Sequence, residues 1–135
     1  MKKKTYPLHY AGQKQKFARC VAVGDLVFLS GMSGRTMETG NVSSDDVKAQ
    51  MFVALDKVRA SLEEAGSSMD HIVKTVIYLK DVKDYDLMRA TEWEYYQKHA
   101  PGLIAEPPAS TFMQPASLAR ANMLVEIDVI ACLKD

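Results

Sequence analysis

The chain has 135 residues, 47% of them hydrophobic, which suffices for one ordinary core, and we expect a single domain over residues 1–135. Its 17 basic residues balance 17 acidic ones, so no overall field favours nucleic acid or an anionic membrane as a partner. The basic start at residues 1–4 is followed by no signal-peptide core, and no run approaches the roughly 20 apolar residues of a membrane span. We therefore expect a cytoplasmic protein.

The first elements are two predicted strands. We expect residues 1–16 to be a partly flexible N-terminal segment. Phe17–Val23 and Leu26–Ser30 are β-rich runs separated by the tight turn Gly24-Asp25, a pattern that indicates a hairpin. Gly31–Gly40 then predicts a glycine-containing loop.

A helix is predicted next. Ser43 and Ser44 are candidate N-caps, and Gly66 is the candidate C-terminal stop. The apolar residues between them recur at the spacing of one helical face: Val47, Met51, Leu55, Val58 and Leu62.

A third strand and a second helix follow. The core face of the strand is predicted from residues at a period of two: Val73, Thr75, Ile77 and Leu79. Asp81 or Asp84 is expected to cap the helix. Residues 100–107 contain two prolines and a glycine, which predicts an exposed connection.

The chain ends in two further predicted strands. Pro108 cannot donate to a sheet ladder, so it fits the start of a strand over Ala109–Gln114. One face of the last strand is wholly apolar and must be core: Met123, Val125, Ile127, Val129, Ala131 and Leu133. The opposite face mixes Glu126 and Asp128 with apolar residues, which indicates that something partly covers it.

The predicted order is ββαβαββ, an α+β fold with one mostly antiparallel sheet and two helices on one face. The other face would carry Leu26, Phe28, Ser30, Leu124, Glu126 and Ile130. An apolar face of that extent is seldom left wet, so we expect oligomerisation to bury it.

The residues that bind metals in other proteins are scattered here. Cys20 and Cys132 lie in separate apolar runs, and neither they nor the three histidines have the spacing of a zinc or redox motif. We expect buried free thiols and no metal site.

The chain resembles the Rid proteins (reactive intermediate deaminases), also known as YjgF or L-PSP endoribonuclease-like proteins. The resemblance rests on Val23–Gly31, on Val73–Asp81, and on Pro108-Ala109 followed by Leu124–Ile127. It implies a chorismate-mutase-like fold and a homotrimer in which three sheets line a central barrel, with a cleft at each subunit interface.

The resemblance also implies an activity. Members of the family hydrolyse enamines and imines to carbonyl compounds and ammonia, as 2-iminobutanoate/2-iminopropanoate deaminases do, without metal or cofactor. Ser30 and Gly31 would contact the substrate, and Glu126 would position the attacking water. The partly apolar surroundings of Glu126 are expected to raise its pKa toward neutrality.

Two positions depart from the pattern of the active deaminases. Ser110 stands where they carry an arginine that clamps the substrate carboxylate, and Phe17 stands where they carry an aromatic hydroxyl. A serine donates one neutral hydrogen bond, so it cannot replace a bidentate guanidinium. Arg19 and Arg35 are candidate replacements, although each also fits an ordinary surface arginine, and Phe112 is a candidate cleft residue because it shares a face with Ser110.

The favoured function is therefore hydrolysis of a reactive imine or enamine in an intersubunit cleft. One alternative is a non-catalytic trimer that binds a small metabolite such as a keto acid. A ribonuclease ranks last, because the near-zero net charge and the lack of a basic aromatic groove disfavour RNA binding.

Overall fold

The protein, described over residues 2–134 by a computed structural model, folds as one sheet with helices on one side. The strands are β1 Lys3–Tyr10, β2 Gln13–Val23, β3 Leu26–Leu29, β4 Met32–Ser33, β5 Ile72–Leu79, β6 Ala109–Met113 and β7 Val125–Cys132. The helices are α1 Val47–Glu64, α2 Tyr85–His99 and α3 Gly102–Ala105. The strand order is β1-β2-β3-β7-β5-β6, with β4 pairing β7 beyond the end of β3. Only β5 and β6 pair in parallel among these strands, which confirms the predicted α+β fold.

The N-terminal segment contributes β1 and the first residues of β2 to the sheet, two strand regions that the sequence analysis did not predict. β1 pairs with β2, and β2 begins at Gln13 rather than at Phe17. Tyr6, Leu8 and Tyr10 alternate along β1, and the last two are buried. The strand lies at the sheet edge, where its other face stays polar, and this weakened the signal in the sequence.

Helix α1 covers the centre of the sheet with the predicted apolar stripe. The buried residues of the stripe are Val47, Met51, Leu55, Val58 and Leu62. Burial of each such side chain stabilises the fold by about 1.5–3 kcal/mol. The N-cap is Asp46, whose carboxylate accepts a hydrogen bond of 2.9 Å from the Ala49 N–H, and not Ser43 or Ser44 as predicted.

Two local predictions in the second half were wrong. Val73 is 42% exposed instead of buried, because a register shift between Ile72 and Lys74 turns it out of the core face that Thr75 shares. The connection at residues 100–107 is not wholly exposed, because it contains α3. The side chains of this connection that are buried are those of Ala100 and Leu103.

Strand β7 is central and has the two faces that its sequence predicts. Val125, Ile127, Val129 and Ala131 are buried against the helices. The opposite side of the sheet, called here the open face, carries Phe28, Lys74, Tyr78, Glu126, Asp128 and Ile130. Leu26 and Phe28 remain 39% exposed there. No helix within residues 2–134 is both long and apolar enough to span a membrane.

Candidate active site

Glu126 and Gly31 are brought together by the pairing of β4 with β7. Ser33 pairs with Glu126, and Ser30-Gly31 is the link between β3 and β4. A Cβ atom added to Gly31 would lie 2.6 Å from both Cδ and Oε2 of Glu126. The carboxyl group therefore packs directly on the Gly31 backbone, an approach that only glycine permits.

The surroundings of Glu126 raise the pKa of its carboxyl group. Burial is the largest cause and the charge of Asp128 adds to it, while Lys57 acts in the opposite direction. The direction is the one expected from the sequence. A carboxyl group whose pKa is raised toward neutrality can exchange a proton with a reacting molecule.

A cavity of about 300 Å³ lies on the open face beside Gly31. Ser30 and Gly31 line one part of it, and Lys74 and Asp128 supply a cation and an anion. The Tyr78 hydroxyl donates a 3.1 Å hydrogen bond to Asp128 and so fixes that carboxylate. The cavity therefore combines polar groups with the apolar wall that Phe28 provides.

Ser30 is anchored to the neighbouring strand. Its hydroxyl donates a hydrogen bond to the Ala18 carbonyl, and its backbone N–H donates to the Arg19 carbonyl at 3.1 Å. The hydroxyl proton is thus engaged with the backbone. What Ser30 offers a ligand is an acceptor oxygen.

Arg19 is held against helix α1. It lies at a register shift of β2, and its Nε donates to Ser61 Oγ at 2.6 Å while its Nη1 pairs with Glu64 at 2.7 Å. The structure does not bring Arg19 together with Ser110.

Arg35 belongs to a different, largely buried polar cluster. Its guanidinium stacks 3.9 Å from the centroid of the Tyr10 ring, and Lys57 Nζ donates to the Tyr10 hydroxyl at 3.1 Å. Lys57 is only 6% exposed, and burial, helped by the charge of Arg35, lowers its pKa to about 7. Arg35 is therefore also engaged away from Ser110.

Ser110 and Phe112 lie on the helix side of the sheet, opposite to Glu126. Parallel pairing places Ser110 beside the buried Thr75, and Phe112 packs edge-on against Tyr85 with ring centroids 5.0 Å apart. Within one chain these residues do not meet Glu126.

Phe17 lies apart from both groups. It is 53% exposed in a groove between β1 and β2 that is also lined by Pro7 and Lys14. Neither Glu126 nor Ser110 lines that groove.

Sequence reasoning missed one cation, Arg89 of α2. Its Nη1 donates to Ser110 Oγ at 3.1 Å and to Glu92 Oε1 at 3.0 Å, and its Nε donates to Tyr85 Oη at 3.1 Å. The three- and four-residue spacing of Tyr85, Arg89 and Glu92 puts them on one helix face, which is a detectable signal. That this face meets Ser110 depends on the packing of α2 against β6.

Comparisons with known proteins agree on one family. The family model described as Endoribonuclease L-PSP matches residues 10–133. A RutC family protein of Pyrococcus abyssi is 30% identical over 115 residues, which span 85% of this chain and 84% of that protein. A 2-iminobutanoate/2-iminopropanoate deaminase of Escherichia coli is 32% identical over 115 residues, 85% of each chain. A crystal structure of a YjgF family member from Neisseria meningitidis superposes with a TM-score of 0.78 at 28% identity, covering 100% of this chain and 98% of that one.

Proposed function

This chain belongs to the endoribonuclease L-PSP family, also called the YjgF or Rid family, and on that premise we propose that it hydrolyses a reactive imine or enamine to a carbonyl compound and ammonia. The names of its relatives support deaminase-like activity at this general level. The observation that carries the proposal for this chain is the Glu126 carboxyl group, whose pKa is raised and which packs on Gly31 beside a cavity.

The proposed reaction needs a base that later acts as an acid. The Glu126 carboxylate accepts a proton from water as the water oxygen bonds to the imine carbon. That proton passes to the nitrogen as the C=N π bond breaks, which gives a carbinolamine. Glu126 then takes the proton of the new hydroxyl group and returns it to the nitrogen, so that the C–N bond breaks and ammonia leaves as the C=O bond forms. One imine and one water thus give one carbonyl compound and one ammonia. A raised pKa suits Glu126 to accept each proton and to return it.

The proposed assembly is a homotrimer with its sites between subunits. Two observations support it. The open face leaves Leu26 and Phe28 39% exposed, and an apolar face is seldom left in water. Glu126 and Ser110 lie on opposite faces of one chain, so a site that uses both draws them from different subunits.

The test is imine hydrolysis by purified protein. An amino-acid oxidase generates 2-iminobutanoate in place, catalase removes the peroxide, and semicarbazide traps the imine that escapes hydrolysis. We expect the wild type to suppress the trapped product and Glu126→Gln to lose at least about 100-fold in rate, as general-base removal does. Glu94→Gln, a surface change on α2, is the matched control.

The same samples distinguish the other candidates. Light scattering reports whether each variant keeps a trimer mass, so loss of assembly is not mistaken for loss of chemistry. A wild type that leaves the imine untouched but binds 2-oxobutanoate would replace the deaminase proposal with a metabolite-binding trimer. The observation that favours this second candidate is that the Ser30 hydroxyl donates its proton to a backbone carbonyl and so has none to lend to a reaction.

A further inference from the structure

A cluster of side chains joins helix α2 to the edge strand β6. It consists of Tyr85, Arg89, Glu92, Ser110 and Phe112, called here the α2–β6 cluster. Its guanidinium contacts Ser110, the residue at which the family resemblance leads us to expect an arginine in the active deaminases. β6 is the last strand of the sheet, so the cluster lies at a sheet edge.

Arg89 is fixed by three hydrogen bonds and keeps two donors free. Nε is used by Tyr85, and the two hydrogens of Nη1 are used by Glu92 and Ser110. Within residues 2–134 the remaining nitrogen, Nη2, has no such bond, and it is not a buried atom without a partner. The side chain is 29% exposed, and Nη2 is the nitrogen whose N–H groups are left for a ligand.

Ser110 also has a hydrogen-bond donor that its neighbours do not use. Its Oγ accepts one hydrogen bond from Thr75 Oγ1 at 2.8 Å and a second from Arg89 Nη1 at 3.1 Å. Two incoming hydrogen bonds occupy the lone pairs of the oxygen and leave its own proton to be donated. Ser110 is exposed, so a ligand can reach that donor.

We propose that Arg89 Nη2 and the Ser110 hydroxyl together bind the carboxylate of a 2-imino acid substrate. The inference rests on the proposed function and narrows its substrate class to imines that carry a carboxylate. A guanidinium from α2 then does the work of the missing arginine on β6. Thr75, Tyr85 and Glu92 are positioning residues, since they hold the two donors and leave the ligand to them.

Other cations fit this role less well. Arg19 is held by Ser61 and Glu64 of α1, Arg35 is stacked on Tyr10, and neither contacts Ser110 as Arg89 does. Lys74 is the one rival, because it lines the cavity beside Gly31, but its Nζ already donates to Thr111 Oγ1 at 2.8 Å. A lysine is also a point charge without the fork that matches a carboxylate.

The experiment compares two imines across matched variants. The substrates are 2-iminobutanoate and the carboxylate-free imine that an amine oxidase makes from propylamine. Arg89→Lys keeps a positive charge beside the buried Glu92 but removes Nη2, so the fold is preserved. The matched control is Arg59→Lys, because Arg59 also pairs with a carboxylate three residues away, Asp56, at 3.6 Å.

We expect Arg89→Lys to lower kcat/KM for 2-iminobutanoate by about 10- to 100-fold, mostly through KM, the range for lost charge-assisted hydrogen bonds. The carboxylate-free imine should be hydrolysed as before, and Arg59→Lys should change neither substrate. Adding Ser110→Arg to Arg89→Lys restores a guanidinium on the adjacent residue and should recover most of the loss. A merely structural role for Arg89 predicts no such recovery.

Several results would overturn the inference. One is that Arg89→Lys lowers kcat/KM equally for both imines, and another is that it lowers kcat/KM for neither. A third is that Lys74→Met, and not Arg89→Lys, loses the preference for the imine with a carboxylate. Calorimetric titration with 2-oxobutanoate separates this inference from the proposed function. If the wild type binds 2-oxobutanoate through Arg89 but hydrolyses no imine, the proposed deaminase function is refuted and the carboxylate site is retained. If the wild type hydrolyses the imine and Arg89→Lys does so equally well, the carboxylate site is refuted and the deaminase function is retained. A wild type that neither hydrolyses nor binds refutes both.

Discussion

Replacing Gly31 by alanine perturbs the proposed site by a single methyl group. The new Cβ would lie 2.6 Å from Cδ and Oε2 of Glu126, well inside the 3.4 Å at which ordinary contact begins. Gly31 is not among the glycines with positive φ, so alanine can adopt its backbone conformation. The change therefore acts on the position of the Glu126 carboxyl group.

The size of the effect follows from that overlap. The carboxyl group must retreat by about 1 Å, and a misplacement of about 1 Å in a catalytic group can cost roughly 100-fold in rate. The corresponding barrier increase is about 2.7 kcal/mol. The free energy of unfolding should change by less than about 1 kcal/mol, because the end of a flexible side chain can move and alanine restricts the unfolded chain.

Imine hydrolysis and thermal unfolding, measured on the same samples, test this prediction. Gly102→Ala is the matched control, because its Cβ would lie 2.6 Å from the Asp70 carboxylate, a comparable clash on α3. If Gly31→Ala acts through Glu126, then Glu126→Gln with Gly31→Ala should be no slower than Glu126→Gln alone. A Gly31→Ala protein with wild-type kcat/KM would refute the assignment of Glu126 as the base held on Gly31.

Three further outcomes are expected. Asp128→Asn removes a charge that raises the pKa of Glu126, so the acid limb of kcat/KM should move to lower pH in a pH–rate profile. Lys57 has a folded pKa of about 7, below its value in the unfolded chain, so the wild type should gain stability as pH rises above 7. In Lys57→Met the free energy of unfolding, measured with urea, should rise less steeply with pH, by up to about 1.4 kcal/mol per pH unit. Phe28→Asp places a charge on the open face and should dissociate the assembly, so that light scattering reports the mass of a single chain. A variant that keeps the mass of a trimer would contradict burial of that face.

The fold was predictable wherever burial imposes a period on the sequence. The two faces of β7 and the stripe on α1 follow from the alternation of apolar residues, and both were confirmed. β1 was not predicted because an edge strand keeps one polar face, although Tyr6, Leu8 and Tyr10 gave a weak apolar signal at a period of two. Val73 was misplaced because a bulge resets that period without leaving a mark in the sequence.

The site was predictable only in the part that neighbouring strands assemble. Glu126 was proposed from its setting on a half-apolar face, and the structure places Gly31 beside it because β4 continues along β7. The contact of Arg89 with Ser110 joins residues 21 positions apart through the packing of a helix on a parallel strand pair. No local pattern specifies that packing, which is why Arg19 and Arg35 were considered as the cation and Arg89 was not.

The two halves of the proposed site lie on opposite faces of the same sheet. Glu126 is on the open face, whereas Ser110 follows its parallel partner Thr75 to the helix side. A substrate a few ångströms long cannot reach through a sheet, so a site that uses both halves requires the edge strand β6 of one subunit to approach the open face of another. The exposed apolar surface around Phe28 provides a driving force for that approach. On this reasoning, carboxylate binding requires assembly: Arg89 of one subunit holds the substrate carboxylate while Glu126 of another subunit acts as the base.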